Sequence, residues 1–291
     1  MPITFSSLAL FNRANRRLLW LLVVSHLLWC GALLGLWAVG QLVTAPSRWL
    51  SALFIALQLY AAAQLLLPAL LFHPEQRSRT FYLVWGVLLA MAIWASSRLP
   101  VDSGWLPVLA IVRSGLLLLV ALLVGAALAR YVRRLWELLP VCLVMTLADF
   151  ASWARGPTSS FARQIEDYYR APVGPPPAVD MILVKLVLPG SAGLLPVFGL
   201  SDWIMVVFFA IVARHHGIND NLCGPPGPVL ARRGRIGGYL PVSVIALLAA
   251  VLLALATGRF IPVLPFMAVI MLGWYLLRSL LLRNRSGMEH P

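Results

Sequence analysis

Acidic side chains are scarce in this sequence: ten among 291 residues, against 23 basic ones. Lysine is scarcer still, because Lys185 is the only one and every other basic residue is arginine. Charged residues of both signs make up 11% of the chain, where a soluble domain carries about 25%. That shortage excludes an ordinary water-soluble fold. The three cysteines, Cys30, Cys142 and Cys223, are too few and too scattered for a disulfide framework or a zinc site. No phosphate loop, dinucleotide fingerprint or Ser-His-Asp grouping is present, so neither a metal nor a cofactor is expected. The net charge of +13 does not indicate nucleic acid, since the arginines fall between apolar runs, as flanking anchors do.

What fills the chain instead is apolar sequence, 61% hydrophobic with a mean hydropathy of +0.88. This is the composition of a polytopic membrane protein, and the whole of 1–291 reads as one membrane domain, an all-α helical bundle. A helical span needs roughly 20 mostly apolar residues. Eight stretches qualify: 18–42, 49–72, 80–97, 108–129, 136–153, 194–213, 239–257 and 260–280. The first, although it follows Arg13, Arg16 and Arg17, is long for a signal peptide and reads as a span. The apolar piece at 181–190 is too short to cross; its β-branched content and Pro-Gly end suit a strand or a re-entrant segment. The stretches 154–180 and 214–238 read as loops from their Pro and Gly content.

Basic residues orient such a chain. With the N-terminus inside, fifteen of the 23 lie on inside segments, so both termini are expected in the cytoplasm. Short loops suit a prokaryotic plasma membrane. Trp20, Trp49, Trp105 and Trp136 stand near span ends as interfacial anchors. Arg113 reads as a snorkelling side chain, His26 as an interior histidine, and the 232–235 arginines as neighbours of anionic lipid heads.

The acids carry the functional argument. Only Asp149 and Asp202 lie well inside apolar runs, where an ionisable group costs a few kcal/mol and usually serves function. Their spans run in opposite directions. Counting from the outer ends, the two carboxylates sit roughly 7 and 12 Å deep at 1.5 Å per residue, so adjacent helices can bring them face to face. Two carboxylates sharing a site keep one proton between them. The ionised one can take a proton from water while the other polarises a peptide carbonyl. The same pair also suits a proton-coupled transporter or channel, or a structural role in a catalytically silent scaffold.

The residues around the acids carry a resemblance. Ala148-Asp149, Gly199-Leu200-Ser201-Asp202 and Pro262-Val263-Leu264, in that order and with one span between the last two, resemble the three motifs of the presenilin and signal peptide peptidase family of intramembrane aspartyl proteases. The family's own versions are Tyr-Asp, Gly-x-Gly-Asp and Pro-Ala-Leu, so this chain differs at Ala148, Ser201 and Val263. The likeness covers roughly 136–280, the catalytic part; the four-helix part, 18–129, carries no motif. It implies a presenilin-like fold with Asp149 and Asp202 as catalytic acid and base. Gly199, Leu200, Ser201, Pro262, Val263 and Leu264 would shape the channel and receive a transmembrane peptide or protein substrate, the 181–190 piece serving as its partner strand. The family has nine spans; removing the first from the signal peptide peptidase arrangement leaves both termini inside, as the arginines do. Besides its substrate, the bilayer is the expected partner; oligomeric state is open.

Overall fold

The computed structural model describes residues 13–97, 105–171, 176–258 and 261–286. Eleven helices account for most of them: α1 (Arg13–Gly40), α2 (Arg48–Gln64), α3 (Leu66–Phe72), α4 (Arg79–Ser97), α5 (Leu106–Ala129), α6 (Leu138–Arg155), α7 (Pro157–Arg170), α8 (Leu200–His215), α9 (Gly227–Arg232), α10 (Val242–Thr257) and α11 (Val263–Ser286). Six segments, among them α2 and α3 taken together, are long and apolar enough to cross a membrane. The chain is a helical membrane protein. The helices α8 and α10 have 16 residues each and fall short of that length.

Local sequence explains where elements stop. The second span breaks after Gln64 because Pro68 stands four residues on, where its ring has no N–H to give that carbonyl and clashes with it. Ser47 starts α2 by accepting the Leu50 N–H at 3.1 Å, satisfying one of the orphan donors of the first turn. The last helix begins at Val263 with Pro262 just before it and Pro265 in its first turn. The prolines therefore start the helix, where no N–H is missed, rather than kinking a span that begins at 260.

Two further expectations need correction. The stretch 154–180 is not simply a loop: Pro157 initiates α7, and Glu166 and Arg170 brace it one turn apart at 2.6 Å. The span expected at 194–213 is not helical from its start. Leu195–Gly199 forms strand β2, antiparallel to β1, Leu183–Leu186, so among the described residues the bundle carries one two-stranded sheet, and 181–190 supplies a strand.

Packing centres on α5 and α8, which make the most extensive helix contact among the described residues. An added methyl at Gly125 on α5 would stand 2.6 Å from the Ile204 carbonyl oxygen and 2.8 Å from Val207 Cβ. The bare glycine is what lets the two backbones close, the small-residue contact that holds helices together where lipid removes the hydrophobic drive. From Asp202 to Ala213 α8 is buried apart from Ile204, with α10 and α11 against it. Outward faces of α4, α6 and α11 instead expose Leu83, Leu143, Leu147 and Val269, as lipid-facing surfaces do. The tryptophans Trp20, Trp49, Trp105 and Trp136 are likewise exposed.

Candidate active site

Asp149 stands in the closing turns of α6 and is half-buried. Its Oδ2 accepts the Leu264 backbone N–H at 3.3 Å. Leu264 is the second residue of α11, so this N–H is one of the helix's orphan donors. Asp202 is the third residue of α8 and buried. Its Oδ2 accepts the Gly199 N–H at 2.8 Å, closing the helix start as a capping carboxylate does. The two carboxylates lie within electrostatic reach of one another. Asp149, Asp202, Gly199 and Leu264 thus gather at one end of the bundle, with Leu200, Ser201, Pro262 and Val263 beside them in the chain.

The route to this meeting differs from the expected one. The helices α6 and α8 are not broad packing partners; α11 packs against both and brings its first turn to Asp149. Asp202 is also shallower in its helix than the sequence implies. The helix starts at Leu200, leaving Asp202 in the first turn rather than eight residues along a span. Ser201 is exposed and makes no hydrogen bond to Asp202. Its Oγ instead lies 3.3 Å from where a Cβ on Gly199 would stand, and Asp202 Oδ2 lies 3.5 Å from that point. Gly199 therefore leaves space beside the carboxylate.

The hairpin that delivers Asp202 is held by residues that the sequence reading passed over. Gln58 of α2, fully buried, donates from Nε2 to the Val187 carbonyl at 2.8 Å and accepts the Val187 N–H through Oε1 at 2.8 Å. Ser114 of α5 accepts the Lys185 N–H at 3.0 Å and donates to its carbonyl at 3.2 Å. Two side chains thus act as a strand would on the outer edge of β1. Their signal in the sequence was a polar residue inside an apolar run, the same signal that marked the aspartates. The hairpin's connection is tied to the end of α1, where Gly190 N–H donates to the Gly40 carbonyl at 3.0 Å. The left-handed φ of +73° and the Pro46 ring 3.0 Å from an added Cβ both require glycine at 190.

Three acids placed in loops by the sequence are in fact buried, each beside a partner. Asp180 pairs with Lys185 at 2.5 Å and accepts the Tyr169 hydroxyl at 3.0 Å, which fastens the end of α7 to β1. Burial, then the charge of Asp180, pushes the Tyr169 phenol above its usual range. Glu75 lies beside Arg214, with His215 at 3.4 Å and His73 at 3.5 Å, joining the turn after α3 to the far end of α8. Asp220, in the connection from α8 to α10, accepts the Tyr239 hydroxyl at 2.6 Å. Burial pushes its carboxyl up to about 7.

The remaining landmarks are modest. Arg113 donates from Nε and a terminal nitrogen to Ser96, at 3.3 and 3.1 Å. It closes the end of α4 rather than simply snorkelling. His26 is an interior histidine, its Nδ1 2.8 Å from the Leu22 carbonyl oxygen. Among the described residues no group of three or more His, Cys, Asp or Glu is placed to hold a metal ion. Comparison of the chain with protein-family models, curated proteins and solved structures gives no match.

Proposed function

We propose that this protein is an intramembrane aspartyl protease built on the arrangement of signal peptide peptidase, with eight spans that include the short helices α8 and α10. It would hydrolyse peptide bonds of transmembrane or signal-peptide-like segments. The observation that carries the reading is the convergence of three separated sequence motifs: Leu264 N–H on Asp149, Gly199 N–H on Asp202, and the two carboxylates in reach of each other. With both termini in the cytoplasm, as the arginines favour, the pair faces the outer side of a plasma membrane of prokaryotic type.

The chemistry follows from two carboxylates sharing one proton. The ionised carboxylate takes a proton from water as its oxygen attacks the peptide carbonyl carbon. The protonated one gives its proton to the carbonyl oxygen, and the resulting diol collapses when the leaving nitrogen is protonated. The apparent acid and base constants belong to the pair, so neither aspartate is assigned one role.

A transmembrane helix must unwind before its peptide bonds are open to attack, and its freed N–H and C=O groups need partners in the membrane. Strand addition supplies them. The expectation that 181–190 pairs with substrate does not suit the geometry, since β1 is engaged on one edge by β2 and on the other by Ser114, with Gln58 holding Val187 just beyond it. The strand β2 pairs only with β1 among the described residues. Its other edge leads straight to Asp202, and it is the better receiving edge.

The test is cleavage of a generic transmembrane peptide in liposomes by wild type, Asp149→Asn and Asp202→Asn, with products identified by mass. Cleavage lost in both variants is the expected result. Cleavage that survives either substitution overturns the proposal. Solute uptake driven by a pH gradient and needing both aspartates, without cleavage of any substrate, replaces it with a transporter.

A further inference from the structure

Among the described residues, one cavity is lined by α4 and α5 and by neither aspartate. It is a cleft of about 410 Å³ between α4 and α5. Leu89, Ile93, Val120 and Leu123 form its walls, and the rings of Tyr82 and Tyr131 stand at one end. Gly86 forms part of the floor. A Cβ built there meets nothing within 4 Å, so no protein atom fills the space that the glycine leaves.

Length and charge identify the occupant. From Tyr82 to Ile93 the cleft runs eleven residues along α4, about 16 Å at 1.5 Å per residue. That is the depth of one leaflet, half of a hydrocarbon core about 30 Å thick, and too short for a partner helix that crosses both. At the tyrosine end the Arg130 guanidinium stands 6.0 Å from the Tyr82 ring and 5.9 Å from the Tyr131 ring. The Tyr82 hydroxyl is tied to the Pro74 carbonyl at 2.7 Å, which fixes that wall. Arg77, Arg79, Arg133 and Arg134 lie in the adjoining segments. The acids at this end are engaged: Glu75 beside Arg214, and Glu137 with the Arg133 and Arg134 backbone N–H groups.

We propose that this cleft is a binding site for one anionic phospholipid, an acyl chain lying along Gly86 and Ala90 and the phosphate at Arg130. The apolar walls take the chain, and the arginine at the leaflet boundary selects the headgroup. The inference rests on the membrane reading alone and is independent of the protease assignment.

Native mass spectrometry of the full-length protein, given equal phosphatidylglycerol and phosphatidylcholine, tests it. Wild type is expected to retain one phosphatidylglycerol with at least fivefold preference. Gly86→Leu fills the cleft and should abolish retention of both lipids; Ala90→Leu serves the same purpose if Gly86→Leu fails to fold by circular dichroism. Arg130→Gln should keep one lipid but lose the preference. Equal retention of the two lipids by wild type, no retention at all, or undiminished retention by a folded cleft-filling variant overturns the proposal.

Discussion

The backbone N–H of Leu264 meets the Oδ2 of Asp149 at 3.3 Å across 115 residues of sequence. The start of the last helix thereby becomes part of the setting of an acid carried five helices earlier.

That contact can be removed without removing a side chain from the acid. Leu264→Pro deletes the N–H at a first-turn position that tolerates proline. Helix content should be kept while peptide cleavage falls at least tenfold, equivalent to about 1.4 kcal/mol of transition-state stabilisation. Circular dichroism and product analysis on the same preparation check both halves.

The space beside Asp202 gives a second test. Gly199 has φ −82° and ψ 160°, ordinary extended values, so Gly199→Ala brings no backbone strain. Its methyl would nonetheless stand 3.5 Å from Asp202 Oδ2. Thermal stability should change little while cleavage falls. Ser201→Gly, which restores the family pattern and removes a hydroxyl that does not bond Asp202, should raise cleavage severalfold. A Ser201→Gly variant no more active than wild type would show that this serine does not restrain the site.

Gln58 supports the hairpin from within the membrane. Gln58→Leu leaves the Val187 N–H and carbonyl without their partner. Unsatisfied buried groups cost about 1–3 kcal/mol each, so a loss of about 2–6 kcal/mol is expected from the two. Denaturation midpoints should fall, and cleavage with them, although Gln58 lies on a different helix from either aspartate.

Asp220 predicts a dependence on pH. Its carboxyl titrates at about 7 when folded, against an ordinary 3.8. Between those values the folded chain holds a proton that the unfolded chain has released. Stability from this group is therefore full below about pH 4 and is lost as pH rises through 7. Melting in detergent should show wild type weakening from pH 5 to pH 8. Asp220→Asn, which can still accept from Tyr239, should lack that part of the decline.

Much of the helical architecture is legible in hydropathy. The six long spans begin and end within a few residues of where apolar runs change, because nothing else satisfies a backbone in lipid. The first strand of the hairpin was legible in 181–190, but the second was not, since Leu195-Pro-Val-Phe-Gly199 is as apolar as the helix it precedes; only Pro196 and Gly199 mark it as something else. The helix α7 was hidden by Gly156 and Pro157, which read as breakers but serve here as a helix start. In the site, Asp149 and Asp202 stood out by their cost in lipid. That the two meet through α11, rather than through each other's helices, depends on packing that no local pattern encodes. Asp180 and Asp220 are likewise buried against partners that apolar periodicity does not point to, Lys185 and Tyr239.

The clamps on β1 have a consequence for assembly. An exposed strand edge invites pairing without limit, each added strand presenting a fresh edge to the next. Here Gln58 and Ser114 stop growth on one side, and the helices that carry them cannot be displaced without opening the bundle. Among the described residues β2 pairs only with β1, so a further extended segment would have one edge to join, on the β2 side. A membrane enzyme with that arrangement would handle an unwound chain without offering the rest of its surface as a template for aggregation.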